Sequence, residues 1–407
     1  MYNYNHRSST ALVTLKRPDG SPVKDTLCRV KLKKHQFLFG VGMGDAIEML
    51  DPACGESQKK FLSERLERLT SVFNYATLPF YWGRFEPEEG FPQTERLLAA
   101  ARYLRGKGIT LKGHPLCWHT VCAPWLLQYD NETILSKQLA RIRRETEAFK
   151  GLIDMWDVIN EVVIMPVFDR YDNAVTRLCR QWGQVELTGM VFREVTKASP
   201  RAILTLNDFN TSPDYEHLIQ RCLDAGVPID VIGIQTHQHQ GYWGREKLEN
   251  VLSRFSRFGL PIHFTENTLV SGELMPKYIE DLNDWVVPSW PTTPEGEERQ
   301  AREMEEMYRV LFAHPMVEGI TNWDATDGKW LGAPSGVLRQ DNTVKPAYEL
   351  LDRLINREWT TDIEVRTDGE GQVRFDGIRG SYGLFCEGKR AAFELSAKGS
   401  QAIDVTV

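Results

Sequence analysis

The chain has 407 residues, 42% of them apolar, 26% charged and 10% aromatic, which at roughly 150 residues per domain allows one large domain with small additions or two to three domains. No run approaches the ~18 to 20 consecutive apolar residues of a membrane helix, and 49 basic against 56 acidic residues leave a net charge of -7 with no Lys/Arg cluster, so neither a membrane nor a nucleic acid is an expected partner. Seven cysteines (Cys28, Cys54, Cys117, Cys122, Cys179, Cys222, Cys386) form no CxxC and read as reduced, structural thiols.

In chain order, residues 10–34 (TALVTLKRPDGSPVKDTLCRVKLKK) read as two short strands around a PDGSP turn. A series of short apolar or β-branched runs follows: 35–43, 71–79, 109–118, 155–162, 203–208, 229–237, 261–267 and 319–324. Helical patterns lie between them. Leu62, Leu66 and Leu69 share one face; so do Leu97, Ala100, Ala101 and Leu104, then Tyr215, Leu218, Ile219 and Cys222, then Ala301, Met304, Tyr308 and Leu311. Buried-type strands alternating with amphipathic helices predict an α/β fold, a closed (β/α)₈ TIM barrel, rather than an open sheet. Beyond it, Ile363, Val365 and Thr367 answer Val373 and Phe375 across TDGEGQ, which predicts a hairpin. A lone hairpin is marginal in water. The reading is therefore a 35–356 barrel flanked by segments 1–34 and 357–407, which pair into one small β module.

Polar residues at the C-terminal ends of barrel strands are the informative ones, because substrates bind at that mouth. The fourth strand ends in Asn160-Glu161 and the seventh in Thr265-Glu266. Two carboxylates facing one mouth suit glycoside hydrolysis, one as acid and one as nucleophile or base. His114 and Trp118 end the third strand, and Gln235 and His237 the sixth; donors there would hold the ionised carboxylate and grip sugar hydroxyls. His119 and His239 read as structural.

GHPLCWH (113–119), WDVINE (156–161), LNDFN (206–210), GIQTH (233–237) and FTEN (264–267), followed by NWDATDGKWL (322–331) and KPAYELL (345–351), resemble the motifs of glycoside hydrolase family 10, the endo-1,4-β-xylanase family. The resemblance implies a retaining mechanism on β-1,4-xylosidic bonds in xylan or xylo-oligosaccharides. Glu161 would be acid/base and Glu266 nucleophile, with carboxyl groups roughly 5 to 5.5 Å apart. It also implies that His114, Asn160, Gln235 and His237 line the sugar subsite, Asn160 holding the 2-hydroxyl and His237 the nucleophile. A β-linked carbohydrate is the implied partner, and no cofactor is needed.

One stretch departs from that pattern. Where such xylanases carry P-E-N-x-M-K-W, this chain reads TLPFYWGRFEPEEG (77–90), without the usual Asn and Lys. Tyr81 and Trp82 could stack a sugar there, as could Trp323 and Trp330 after the eighth strand. A long segment, 268–296, adds Trp285 and Trp290. The departure opens the substrate to a decorated oligosaccharide or small plant glycoside. Two other classes stay in view: a metal-dependent hydrolase, from the spacing of His237 and His239, and a barrel that binds sugar without cleaving it. The opening MYNYNHRSST lacks the features of a secretion signal, which gives a cytoplasmic expectation unless the chain is signal-trimmed; the sequence is silent on oligomeric state.

Overall fold

The computed structural model describes residues 2–407. Eight parallel strands close into a barrel: β3 (Leu38–Gly42), β4 (Tyr75–Pro79), β5 (Thr110–His114), β6 (Met155–Asn160), β7 (Ile203–Asp208), β8 (Val231–Gln238), β9 (Ile262–Leu269) and β10 (Val317–Asn322), which returns to pair with β3. Two strands, β1 (Ser8–Lys16) and β2 (Leu27–His35), precede the barrel. Five follow it: β11 (Asp362–Arg366), β12 (Gln372–Ile378), β13 (Gly380–Cys386), β14 (Lys389–Leu395) and β15 (Ser400–Thr406).

The helices between barrel strands bury the faces that their periodicity marks. Leu62, Leu66 and Leu69 on Glu56–Val72, Leu97, Ala100, Ala101 and Leu104 on Thr94–Gly106, and Tyr215, Leu218, Ile219 and Cys222 on Pro213–Asp224 all lie in the barrel's apolar layer. Helix starts are set locally: Asp130, Asn173, Ser212 and Thr293 cap their helices through side-chain oxygens, and Pro213, Pro294 and Pro346 occupy first turns, where no amide is needed. Inside β5, Gly113 is required by contact. A Cβ there would sit 2.1 Å from the Trp156 ring, so a glycine lets that indole pack flat against the neighbouring strand.

The terminal strands form two facing sheets, β12-β1-β15 and β11-β2-β13-β14. Ala11, Val13, Val30, Leu32, Phe375, Tyr382, Leu384 and Leu395 bury a separate core between them. The expected hairpin of residues 363–375 is not formed. β11 pairs with β2 and β12 with β1, so the TDGEGQ segment crosses from one sheet to the other. The apolar residues of β11 and β12 face one another across a sandwich core rather than along one ladder, which buries both strands against more surface than a two-stranded ribbon offers.

The cysteine expectation also needs correction. Cys28 and Cys386 stand directly opposite on β2 and β13, with Cα atoms 4.6 Å apart, and form a disulfide; the other five cysteines are free. No covalent partner was foreseeable from spacing, because 358 residues separate them. An aromatic stack of Phe39, Phe312 and Trp359 joins barrel to C-terminal segment, with Phe312 and Trp359 centroids 4.1 Å apart. Arg7 adds hydrogen bonds to the carbonyls of Phe312 and His314. Trp156 and Trp359 are packing residues, both buried.

Candidate active site

Glu161 follows β6 and Glu266 lies within β9, so the barrel presents them from strands on opposite sides of its C-terminal mouth. The Glu161 backbone has φ 57°, a left-handed conformation costly for a residue with a Cβ and typical of functional positions. Its amide donates to the Asn207 carbonyl at 2.9 Å, which anchors the turn to β7. The Glu161 carboxylate accepts from Trp118 Nε1 at 2.8 Å, Asn160 Nδ2 at 3.1 Å and Gln235 Nε2 at 3.2 Å. Glu266 accepts from Asn207 Nδ2 at 2.8 Å and meets His237 Nε2 at 3.1 Å. The two carboxylates are joined by a relay: Asn207 Nδ2 and Gln235 Nε2 both donate to Asn160 Oδ1, at 2.7 and 3.1 Å.

The electrostatics separate the pair. Burial, then the negative charge of Glu266, pushes Glu161 up from 4.5 to about 8, against the opposing hydrogen bond from Trp118. Burial acts on Glu266 too, but the facing His114 and the hydrogen-bonded His237 outweigh it and hold that carboxyl below the ordinary range. His114 is itself set by Asp157, whose Oδ2 lies 2.7 Å from His114 Nδ1 and 2.6 Å from Lys112 Nζ, all inside the barrel. One carboxyl is thus protonated and the other ionised at neutral pH, the division of labour that acid-assisted displacement at a glycosidic bond requires.

His114, Trp118, Asn160, Gln235 and His237 therefore converge on the two glutamates. Trp323 stands edge-on to His114 at 5.2 Å, and Trp330 lies against His237 at 4.4 Å. Of the aromatic stretch after β4, Tyr81 reaches the site, packing on His114 and Trp118 at 5.8 and 5.5 Å. Trp82 does not, contrary to expectation. On the short helix Trp82–Phe85 its indole turns into the protein, donates to Glu86 at 3.0 Å, meets Trp125 edge-on and lies under the Arg141 guanidinium. An apolar slot and a fixed acceptor beneath the helix make burial the more favourable use of that side chain. Phe80 is likewise core, against Phe149 and Trp156.

Four residues that the sequence did not single out belong here. Asn207 joins Glu266 to Asn160, which in turn bonds Glu161; it sits in LNDFN at a strand end, the same signal that marked Asn160. Asp324, Asp45 and Lys329 line a cavity of about 330 Å³ with Thr77, Tyr81, His114 and Trp323. Asp324 is buried, accepts from Ser335 Oγ at 2.5 Å, and is raised to about 6 by burial. Asp45 is clamped by Arg65 and Lys329 at 2.9 and 2.8 Å. Only the loops after β3 and β10 bring these groups beside β4.

His119 and His239 are buried and kept neutral by desolvation, at about 4 and about 3. Among the described residues no three His, Cys, Asp or Glu side chains are grouped to hold a metal, and no helix is long and apolar enough to cross a membrane.

A closed parallel barrel with two carboxyls of opposed protonation at its C-terminal mouth defines the class of the barrel glycoside hydrolases. The chain belongs to glycosyl hydrolase family 10, whose model matches residues 58–353. It is 25% identical over 359 residues to an endo-1,4-beta-xylanase/feruloyl esterase of Xylanibacter ruminicola, covering 78% of this chain and 45% of that protein. It is 26% identical over 382 residues to an anti-sigma-I factor of Acetivibrio thermocellus, covering 91% and 44%. The chain thus spans less than half the length of these curated relatives. The fold matches that of a family 10 endoxylanase from a sugarcane soil metagenome with a TM-score of 0.64 at 21% identity, over 78% of this chain and 97% of the other.

Proposed function

We propose that the chain is a retaining glycoside hydrolase that cleaves β-1,4-xylosidic bonds in xylan or xylo-oligosaccharides. The observation that carries the reading is the pairing of the two buried carboxyls at the mouth, Glu161 held by Trp118, Asn160 and Gln235 and Glu266 by Asn207 and His237, with burial raising the first and the facing histidines lowering the second. Ionised Glu266 attacks the anomeric carbon while Glu161 gives its proton to the departing glycosidic oxygen. Glu161, now a carboxylate, then takes a proton from the water that releases the glycosyl-enzyme. Asn160, oriented by Asn207 and Gln235 through its Oδ1, turns its amide toward Glu161; in this reading it meets the 2-hydroxyl. His237 fixes the attacking carboxylate. Xylanase relatives in the family support the xylan reading.

A second substrate reading, a decorated oligosaccharide or small glycoside, is favoured by the cavity. Tyr81 stands where the family's polar stretch is missing, and Asp45, Asp324 and Lys329 supply polar groups from other loops. Chromatography of products from unbranched xylohexaose, beside a Glu266→Ala blank, tests the choice. Shorter xylo-oligosaccharides made only by the wild type support the first reading; intact xylohexaose transfers the assignment to the second.

A further inference from the structure

Each of the strands that carry the two glutamates also sends out a loop of more than ten residues at the mouth. Residues 161–173 connect β6 to the helix Ala174–Trp182, and residues 270–293 connect β9 to the helix Pro294–Ala313. Between them, β7 and β8 are followed by the short connections 209–212 and 239–243. Arg170 in the first loop donates to Asp281 Oδ2 at 2.6 Å and to Asp284 Oδ1, both in the second. In the barrel order β6-β7-β8-β9 these loops rise three strands apart in a ring of eight, so the bond between them bridges the β7–β8 side of the mouth.

Each loop is seated beside the glutamate of its own strand. Phe168 packs on His119 at 4.5 Å and on Tyr171 at 5.0 Å, next to the Trp118 that donates to Glu161. Arg180 fixes the Pro166 and Phe168 carbonyls from below. On the other side Trp290 lies on His239 at 5.9 Å, and His239 on Trp330 at 5.1 Å, beside the His237 that bonds Glu266. Gln240 holds the Pro276 and Ile279 carbonyls at 2.9 and 2.6 Å.

A sugar chain cut between two carboxylates runs across the line that joins them. One way out lies toward β10, β3 and β4, where the cavity with Asp324 opens. The other lies over β7 and β8, and there the joined loops stand. We propose that the Arg170–Asp281–Asp284 clasp roofs this exit, so that the site favours short oligosaccharides and chain ends over the interior of a polymer. The inference rests on Glu161 and Glu266 being the cleaving pair. Because the three side chains are about half exposed, the clasp is weak and sensitive to salt: it biases access reversibly rather than sealing it.

The test compares wild type, Arg170→Ala, and a charge swap combining Arg170→Asp with Asp281→Arg and Asp284→Arg. The readout is the rate of viscosity loss of soluble xylan divided by the rate of nitrophenyl β-xylobioside hydrolysis. Arg170→Ala should raise that ratio roughly three- to tenfold, what one or two exposed ion pairs supply, with xylobioside hydrolysis unchanged; the swap should restore the wild-type ratio. A wild type that thins xylan after few cuts, or a ratio indifferent to Arg170, overturns the clasp. Amide exchange reads it independently of substrate. Faster exchange in 161–173 and 270–293 of Arg170→Ala supports it, and identical exchange refutes it even if no xyloside is cleaved, an outcome that would instead sink the xylan reading.

Discussion

The acidity of Glu161 can be taken to the point of failure by replacing it with alanine and following kcat/KM against pH on two substrates. Its rise from 4.5 to about 8 corresponds, at 1.36 kcal/mol for each tenfold, to about 5 kcal/mol of preference for the neutral form. The sign is that of a buried acid: the proton stays on as pH climbs past the ordinary carboxylate range and leaves only near pH 8. Wild-type activity should therefore hold from just above the depressed titration of Glu266 up to about pH 8, then fall. Since the two carboxyls feel each other, these limbs belong to the pair. In Glu161→Ala a dinitrophenyl xylobioside, whose leaving group needs no proton, should lose little in its first step and show no alkaline limb. Unactivated xylo-oligosaccharides should lose roughly 10²- to 10⁴-fold, the usual worth of a general acid. An alkaline limb that persists unchanged in Glu161→Ala, or equal losses on both substrates, would refute the assignment.

Three further outcomes follow from the contacts. Asn207→Ala removes the donor shared by Glu266 and Asn160 and should cost about 1–3 kcal/mol of stability, as for a buried unsatisfied acceptor, together with a fall in kcat; unchanged thermal unfolding and kcat would count against the relay. Trp82→Ala should lower the melting temperature through a loss of about 3–5 kcal/mol, whereas Tyr81→Ala should chiefly raise KM; the reverse pattern in paired melting and kinetic assays would return Trp82 to the sugar site. Thiol titration of the unreduced, denatured chain should find five reactive cysteines, and Cys28→Ser should cost about 2–5 kcal/mol; seven reactive thiols would restore the reduced state that the sequence suggests.

The alternation of apolar strands with amphipathic helices was enough to determine the barrel. A strand buried on both sides and a helix buried on one face leave distinct periods in the sequence, and Leu62, Leu66 and Leu69 fall where that pattern puts them. Glu161 and Glu266 drew attention for a related reason: polar residues toward the C-terminal half of a barrel strand face the mouth where substrates bind, and the structure brings both there, Glu161 just after β6 and Glu266 within β9. Contacts between distant segments were not legible, because period and spacing carry no information about which face meets which. The pairing of Cys28 with Cys386 needed the register of β2 and β13. The split of β11 and β12 between two sheets needed the sandwich core that both must bury. Trp82 and Tyr81 are neighbours in sequence and equal in aromatic character, and only the packing of the helix Trp82–Phe85 sends one into the core and leaves the other at the cavity. The same holds for Asp45, Asp324 and Lys329, which act together because closure of the barrel sets the ends of β3 and β10 side by side.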